Sequence, residues 1–155
     1  MAGMIEDRLA ALGITLPTPA APLANYVPWV RSGALVVVSG QLPMRDGAVA
    51  VTGRLGAEVT DEAGAEAARL CLINLLAQLR AACDGDLARV RRVVRLGGFI
   101  ASTPEDPRHA VVMNGASDLA VAVFGDAGRH ARSTIGVASL PAGAAVEVEG
   151  MFETA

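Results

Sequence analysis

Two hydrophobic periods alternate along the chain. After Thr60-Asp61-Glu62, a capping residue followed by acids suited to the positive end of a helix, apolar positions recur at 68, 72, 75, 76, 79 and 83, and Gly85 ends the run. A second stripe at 112, 116, 119, 120, 123 and 124 predicts a helix from about Arg108 to Phe124, behind a loop punctuated by Pro104 and Pro107. Strand signals surround these helices. Ala34 to Ser39 is a continuous β-branched run that stops at Gly40, Arg45-Asp46-Gly47 carries an Asp-Gly hairpin turn with Ala48 to Thr52 returning, and Val90 to Ile100 reads as a strand. Gly97-Gly98 inside it predicts a bulge or a close backbone contact. Near the C-terminus, the runs His130 to Pro141 and Ala145 to Met151 read as neighbouring strands separated by a Pro-containing turn.

At the N-terminus, Met4 to Leu12 predicts a short helix with Ile5, Leu9 and Leu12 on one face and Gly13 at its end. Prolines at 17, 19, 22 and 28 then forbid regular structure from Leu16 to Pro28, which reads as an extended arm. Tyr26 and Trp29 at its end suit a lid over the core. The order β-β-α-β-α-β-β predicts an α+β fold: one sheet with two helices packed on a single face. The other sheet face would carry apolar side chains, an invitation to oligomerise.

Composition narrows this picture. With 155 residues, the chain fits a single domain, 1–155, in which 1–28 are the N-terminal helix and arm and 29–155 the core. The 52% hydrophobic content favours subunit contacts. No uninterrupted apolar run reaches the roughly 18 residues of a membrane span, and Glu6, Asp7 and Arg8 fall where a signal peptide needs its apolar core, so a cytoplasmic protein without membrane partners is expected. The net charge of −3 supplies no general attraction for nucleic acid, and Arg89, Arg91, Arg92 and Arg95 read as a solvated edge. The chain has no lysine, which excludes Schiff-base catalysis and pyridoxal phosphate attachment. Cys71 and Cys83, on one predicted helix, are too far apart to pair and read as reduced core thiols.

Chemistry concentrates in the two C-terminal runs. Strand alternation puts Val146 and Val148 on one face and Glu147 and Glu149 on the other, while Arg132 begins the preceding strand within reach of a small anion. From spacing alone, such an arginine is more often half of a weak surface ion pair. His109 and His130 read as surface or capping residues, and no metal-ligand spacing involves them.

The run Ala131-Arg132-Ser133-Thr134, then Leu140-Pro141 and Val146-Glu147-Val148-Glu149, resembles the C-terminal signature of the RidA/YjgF family of reactive-intermediate deaminases. Asn25-Tyr26-Val27-Pro28, Val38-Ser39-Gly40-Gln41-Leu42-Pro43 and Asn114 fall in the family's order, so the resemblance spans about Tyr26 to Met151. It implies a chorismate-mutase-like fold assembled as a homotrimer. The implied activity is hydrolysis of 2-imino or 2-enamino acids to 2-keto acids and ammonia in clefts between subunits.

In that reading, Arg132 grips the substrate carboxylate and Glu147 positions or deprotonates the attacking water. Tyr26, Gly40, Asn114 and the Thr134 carbonyl contact the substrate. The substrate is already an activated electrophile, so no metal or organic cofactor is called for.

Three departures mark a divergent branch. Arg129-His130 stands where many members have a proline ahead of the Ala131-Arg132-Ser133 run, Gly136 stands where the common pattern has Glu, and the N-terminal arm and the segment from Gly97 to Asn114 are longer than usual. Two other functions stay open: a non-catalytic small-carboxylate sensor, which would keep Arg132 but not need Glu147, and, third, an endoribonuclease, for which the acidic charge and single Tyr and Trp provide little.

Overall fold

The computed structural model describes residues 2–19, 21 and 24–155. Pro22 of the predicted arm lies outside the described residues. Helix α1 (Ala2–Ala11) is followed by a turn in which Gly13 adopts φ 70°, and it buries Leu9, while Leu12 lies just beyond it and is exposed, contrary to the expected three-residue face. Thr60 caps α2 (Asp61–Ala82) by accepting a hydrogen bond from the Ala63 N–H, and Asp61 and Glu62 occupy the first turn. All six positions of its predicted stripe are buried, as are all six in α3 (His109–Phe124).

The strands are β1 (Trp29–Ser32), β2 (Leu35–Gln41), β3 (Met44–Arg45), β4 (Ala48–Val49), β5 (Val90–Ala101), β6 (Ala131–Val137) and β7 (Val146–Thr154). Among the described residues, five of them form one sheet in the order β1-β2-β7-β5-β6, antiparallel throughout except for the parallel β5–β6 pair. Helices α2 and α3 pack together on one face. The predicted α+β class therefore holds, with a mixed sheet.

Three topological expectations do not. Residues 48 to 52 form no strand of the main sheet: β3 and β4 make a two-residue hairpin of their own, and the edge strand is β1, in the stretch following the arm. β6 and β7 are close in sequence but not neighbours, because β5 lies between them. The reason is the crossover: β5, α3 and β6 form a βαβ unit, whose helix returns the chain to pair in parallel beside the strand it left. Third, Arg95 lies where β5 is paired on both sides, so it is not at an edge, whereas Arg91 and Arg92 are exposed on the stretch of β5 that precedes its pairing with β6, in keeping with the solvated edge expected there.

The bulge expected at Gly97-Gly98 falls earlier in β5, where the register with β7 shifts between Val90 and Arg92 and between Val93 and Arg95. The alternative expectation, close contact, holds at both glycines. A Cβ on Gly98 would lie 2.5 Å from Met113 Sδ of α3, and one on Gly97 would lie 2.8 Å from Glu149 Oε1 on the opposite face. The stretch His109–Gly128 has the length and apolarity of a membrane span, but its apolar stripe is spent on the core. The face turned away from the helices bears Val30, Leu35, Val37 and Ile135, all exposed.

The two helices touch through backbone. A Cβ on Gly115 would sit 2.0 Å from the Ala65 carbonyl oxygen, and one on Gly64 would sit 2.8 Å from Val112 Cγ2. Gly115→Ala is therefore expected to destabilise the chain by about 1–3 kcal/mol, the range for overpacking. Denaturant unfolding checks this against Ala122→Ser on the exposed side of α3, which should stay within about 0.5 kcal/mol of wild type.

Candidate functional site

The predicted site residues divide between the two faces of the sheet. Val146, Val148 and Phe152 of β7 are fully buried beneath the helices, so Glu147 and Glu149 project from the open face as expected. Glu147 lies against β2, where the register shifts between Val38 and Gln41. The predicted strand end at Gly40 is thus an irregularity within a strand that continues to Gln41. An added Cβ at Gly40 would stand 2.2 Å from Glu147 Oε1, so the missing side chain is what gives the carboxylate its place.

Glu149 similarly occupies the space over Gly97, and Arg95 pairs with it at 3.5 Å. Glu147 has no ion pair or hydrogen bond among the described residues. Burial, with a smaller contribution from Glu149, raises its carboxyl above the ordinary carboxylate range. An unpaired, half-buried carboxylate of raised basicity is suited to accept a proton.

The arm ends beside this carboxylate. The Ser39 hydroxyl donates to the Val27 carbonyl at 2.8 Å, and the Ser39 N–H donates to the Pro28 carbonyl at 2.9 Å, tying the arm to the residue before Gly40. Tyr26, next to Val27, is 49% exposed and so is no lid on the core; Trp29 packs there instead.

Arg132 lies elsewhere. Its register partner in β5 is Leu96, which is fully buried, so Arg132 and then Thr134 and Gly136 follow one another along the helix-facing side of β6. The Arg132 guanidinium donates to Ser117 Oγ of α3 at 3.0 Å and to the Ala110 carbonyl at 3.4 Å. Asn114, exposed on α3, lines the same open pocket of about 270 Å³ with Ser117, His130 and Arg132. Thr134 Oγ1 is buried and has no hydrogen-bond partner among the described residues. One chain therefore holds two groupings: Gly40 and Glu147 with the arm end near Tyr26, and Arg132 and Asn114 with Thr134. Within the chain, Arg132 and Glu147 do not meet.

Both histidines form specific contacts where capping or surface roles were expected. His109 Nε2 lies 3.1 Å from Ser102 Oγ, and these two atoms would stand 2.5 and 2.6 Å from a Cβ on Gly136. The imidazole thus fills the space that a side chain at 136 would take, which accounts for glycine there. His130 contacts Ser117 and the Gly128 carbonyl. Ser117 escaped the sequence reading, although Asn114, Ser117, Asp118 and Val121 share one helix face by the i, i+3, i+4, i+7 rule.

Comparison with known proteins follows the same lines. Residues 6–150 match the family model described as "YjgF/chorismate_mutase-like, putative endoribonuclease". The chain belongs to the YjgF/chorismate mutase-like family. It is 50% identical over 152 residues to Protein TCP17 of Trypanosoma cruzi, covering 97% of this chain and 94% of that one. A crystal structure from Agrobacterium tumefaciens superposes with a TM-score of 0.94 at 49% identity, covering 99% of this chain and 94% of that one. A Shewanella oneidensis "putative endoribonuclease" gives the same TM-score at 37% identity, with coverages of 97% and 99%. The family resemblance read from the C-terminal runs is thereby shown.

Gly40→Ala tests how the carboxylate is seated. The clashing atom ends a flexible side chain, so the fold should tolerate the methyl with a loss of no more than about 1 kcal/mol while the carboxylate moves off the sheet. Unfolding midpoints and NMR titration of the Glu147 carboxyl check this: its pKa should move back towards the ordinary value of 4.5.

Proposed function

We propose that this protein hydrolyses reactive 2-imino or 2-enamino acids to 2-keto acids and ammonia, as a homotrimer whose sites each combine two chains. The observation that carries the reading is the division just described: an arginine with free donors on one side of the sheet, and an unpaired basic carboxylate on the other. A second copy set against the open face would bring one chain's Arg132 to another chain's Glu147. The exposed Val30, Val37 and Ile135 give that face an apolar reason to be covered.

Chemically, the steps are short. Two of the five Arg132 N–H donors are engaged within the chain, leaving three to hold a substrate carboxylate. Glu147 takes a proton from water as its oxygen attacks the imine carbon. The same carboxylic acid returns that proton to the nitrogen to give the carbinolamine, and the carboxylate then relays the hydroxyl proton to the nitrogen as the C–N bond breaks, releasing keto acid and ammonia. The Thr134 carbonyl and the backbone at Gly40 accept from and donate to the reacting groups, while Tyr26 and Asn114 border the substrate.

A coupled assay with an enzymatically generated imino acid should show faster keto-acid release. Arg132→Ala should cost about 2–4 kcal/mol in kcat/KM, roughly 30- to 1000-fold. Arg132→Ala and Glu147→Ala should each be strongly impaired alone, yet the two co-refolded at equal amounts should recover about a quarter of wild-type activity, because random assembly gives that share of intact two-chain sites. No recovery would overturn the two-chain site.

The acid limb of the rate profile carries a sign. Glu147 must be ionised to act as base, and its carboxyl is raised, so activity should fall on acidification at a pH above the ordinary 4.5. Glu147→Asp should retain a limb and Glu147→Gln should lack both limb and activity. A wild-type rate independent of pH down to about 4 would sink the general-base role.

A further inference from the structure

Arg132 is held by a chain of hydrogen bonds that runs in one direction. The Gly128 carbonyl can only accept, and His130 Nδ1 lies 2.6 Å from it, so Nδ1 carries the proton. In the neutral ring Nε2 is then an acceptor, and the Ser117 hydroxyl, 2.9 Å away, donates to it. With its proton turned toward the imidazole, Ser117 Oγ presents its lone pairs to Arg132 Nη1 at 3.0 Å. With the ring neutral, reversing any member would leave two donors or two acceptors facing each other.

The chain is anchored to α3 at two points. Ser117 is in the middle of α3, and Gly128 is pressed on the same helix: a Cβ there would lie 2.2 Å from the Ala120 carbonyl oxygen and 2.9 Å from Val121 Cα. The carbonyl that selects the imidazole tautomer is thus fixed by backbone packing. His130, just ahead of β6, and Arg132, within it, both reach Ser117.

We propose that His130 and Ser117 are positioning residues that set the Arg132 guanidinium before a carboxylate arrives. This rests on the reading that Arg132 grips the acid group of the substrate. A long, flexible arginine that is already oriented loses less freedom when it binds, so the pair contributes to affinity without touching the ligand.

The test uses the full chain and 2-oxobutanoate as the probe, with affinity measured by calorimetry. Ser117→Ala and His130→Ala should each weaken binding about five- to thirtyfold, and the double variant should be no worse than the stronger single one. Ser117→Thr, which keeps the hydroxyl, and His130→Gln, which keeps an acceptor near the Nε2 position, should restore most of the affinity. Unfolding midpoints should change little, and in an Arg132→Ala background Ser117→Ala should have no further effect. Nitrogen-15 spectra of the imidazole should show the proton on Nδ1, with the Nε2 signal shifting in Ser117→Ala.

Unchanged affinity in both alanine variants, alongside Arg132-dependent binding by the wild type, overturns the positioning role alone. A Ser117→Ala loss that persists without Arg132 overturns it too, by marking a general structural defect. If the wild type shows no Arg132-dependent binding of 2-oxobutanoate, the carboxylate reading falls and the positioning role falls with it.

Discussion

The pleat of β7 governs the molecule. Because successive side chains leave opposite faces, Val146, Val148 and Phe152 enter the core beneath the helices while Glu147 and Glu149 stay outside it. Burying one set of side chains compels the exposure of the other, and a slip of one residue would drive both acids into an apolar interior. The neighbouring strands are shaped to this. Gly40 of β2 and Gly97 of β5 have no side chain where the two carboxylates lie, so the acids rest against the sheet. Arg95 then pairs with Glu149, which leaves Glu147 partly desolvated beside a like charge. Its raised basicity follows from the burial pattern of the strand that carries it.

The second constraint is the crossover that inserts β5 between β6 and β7. A direct β6–β7 pairing would have placed Arg132 next to the acids in one sheet register. The parallel return through α3 instead puts Arg132 at the far edge of the sheet, against the helix, where Ser117 and the Ala110 carbonyl receive it. The adjacent glycines of β5 serve the two environments separately: Gly97 makes room for Glu149 on the open face and Gly98 for Met113 beneath it. Under the proposed mechanism, this separation is why catalysis would require assembly. A fold that keeps its cation and its base on opposite sides holds neither half in an unproductive internal ion pair.

Departures from the family's common pattern have local physical explanations. Gly136 leaves space that the His109 imidazole fills, with Ser102 beside it. His130, in place of the frequent proline, adds a donor and an acceptor ahead of Arg132, and both are used.

Much of the fold was legible in the chain itself. The two helical stripes, the Thr60 cap, the alternation of Val146 to Glu149 and the close approach at Gly97-Gly98 depend on neighbours a few residues away, where backbone period and sterics decide. The order of the strands was not legible, because a sheet is paired by contacts distant in sequence, and a short connection does not require adjacency. For the same reason the sequence marked Arg132 and Glu147 but not that they lie on opposite faces; it missed Ser117 and read His130 as a surface or capping residue, because their contacts exist only once α3 is packed on β6. Local chemistry chose the residues; the tertiary crossover decided which of them meet.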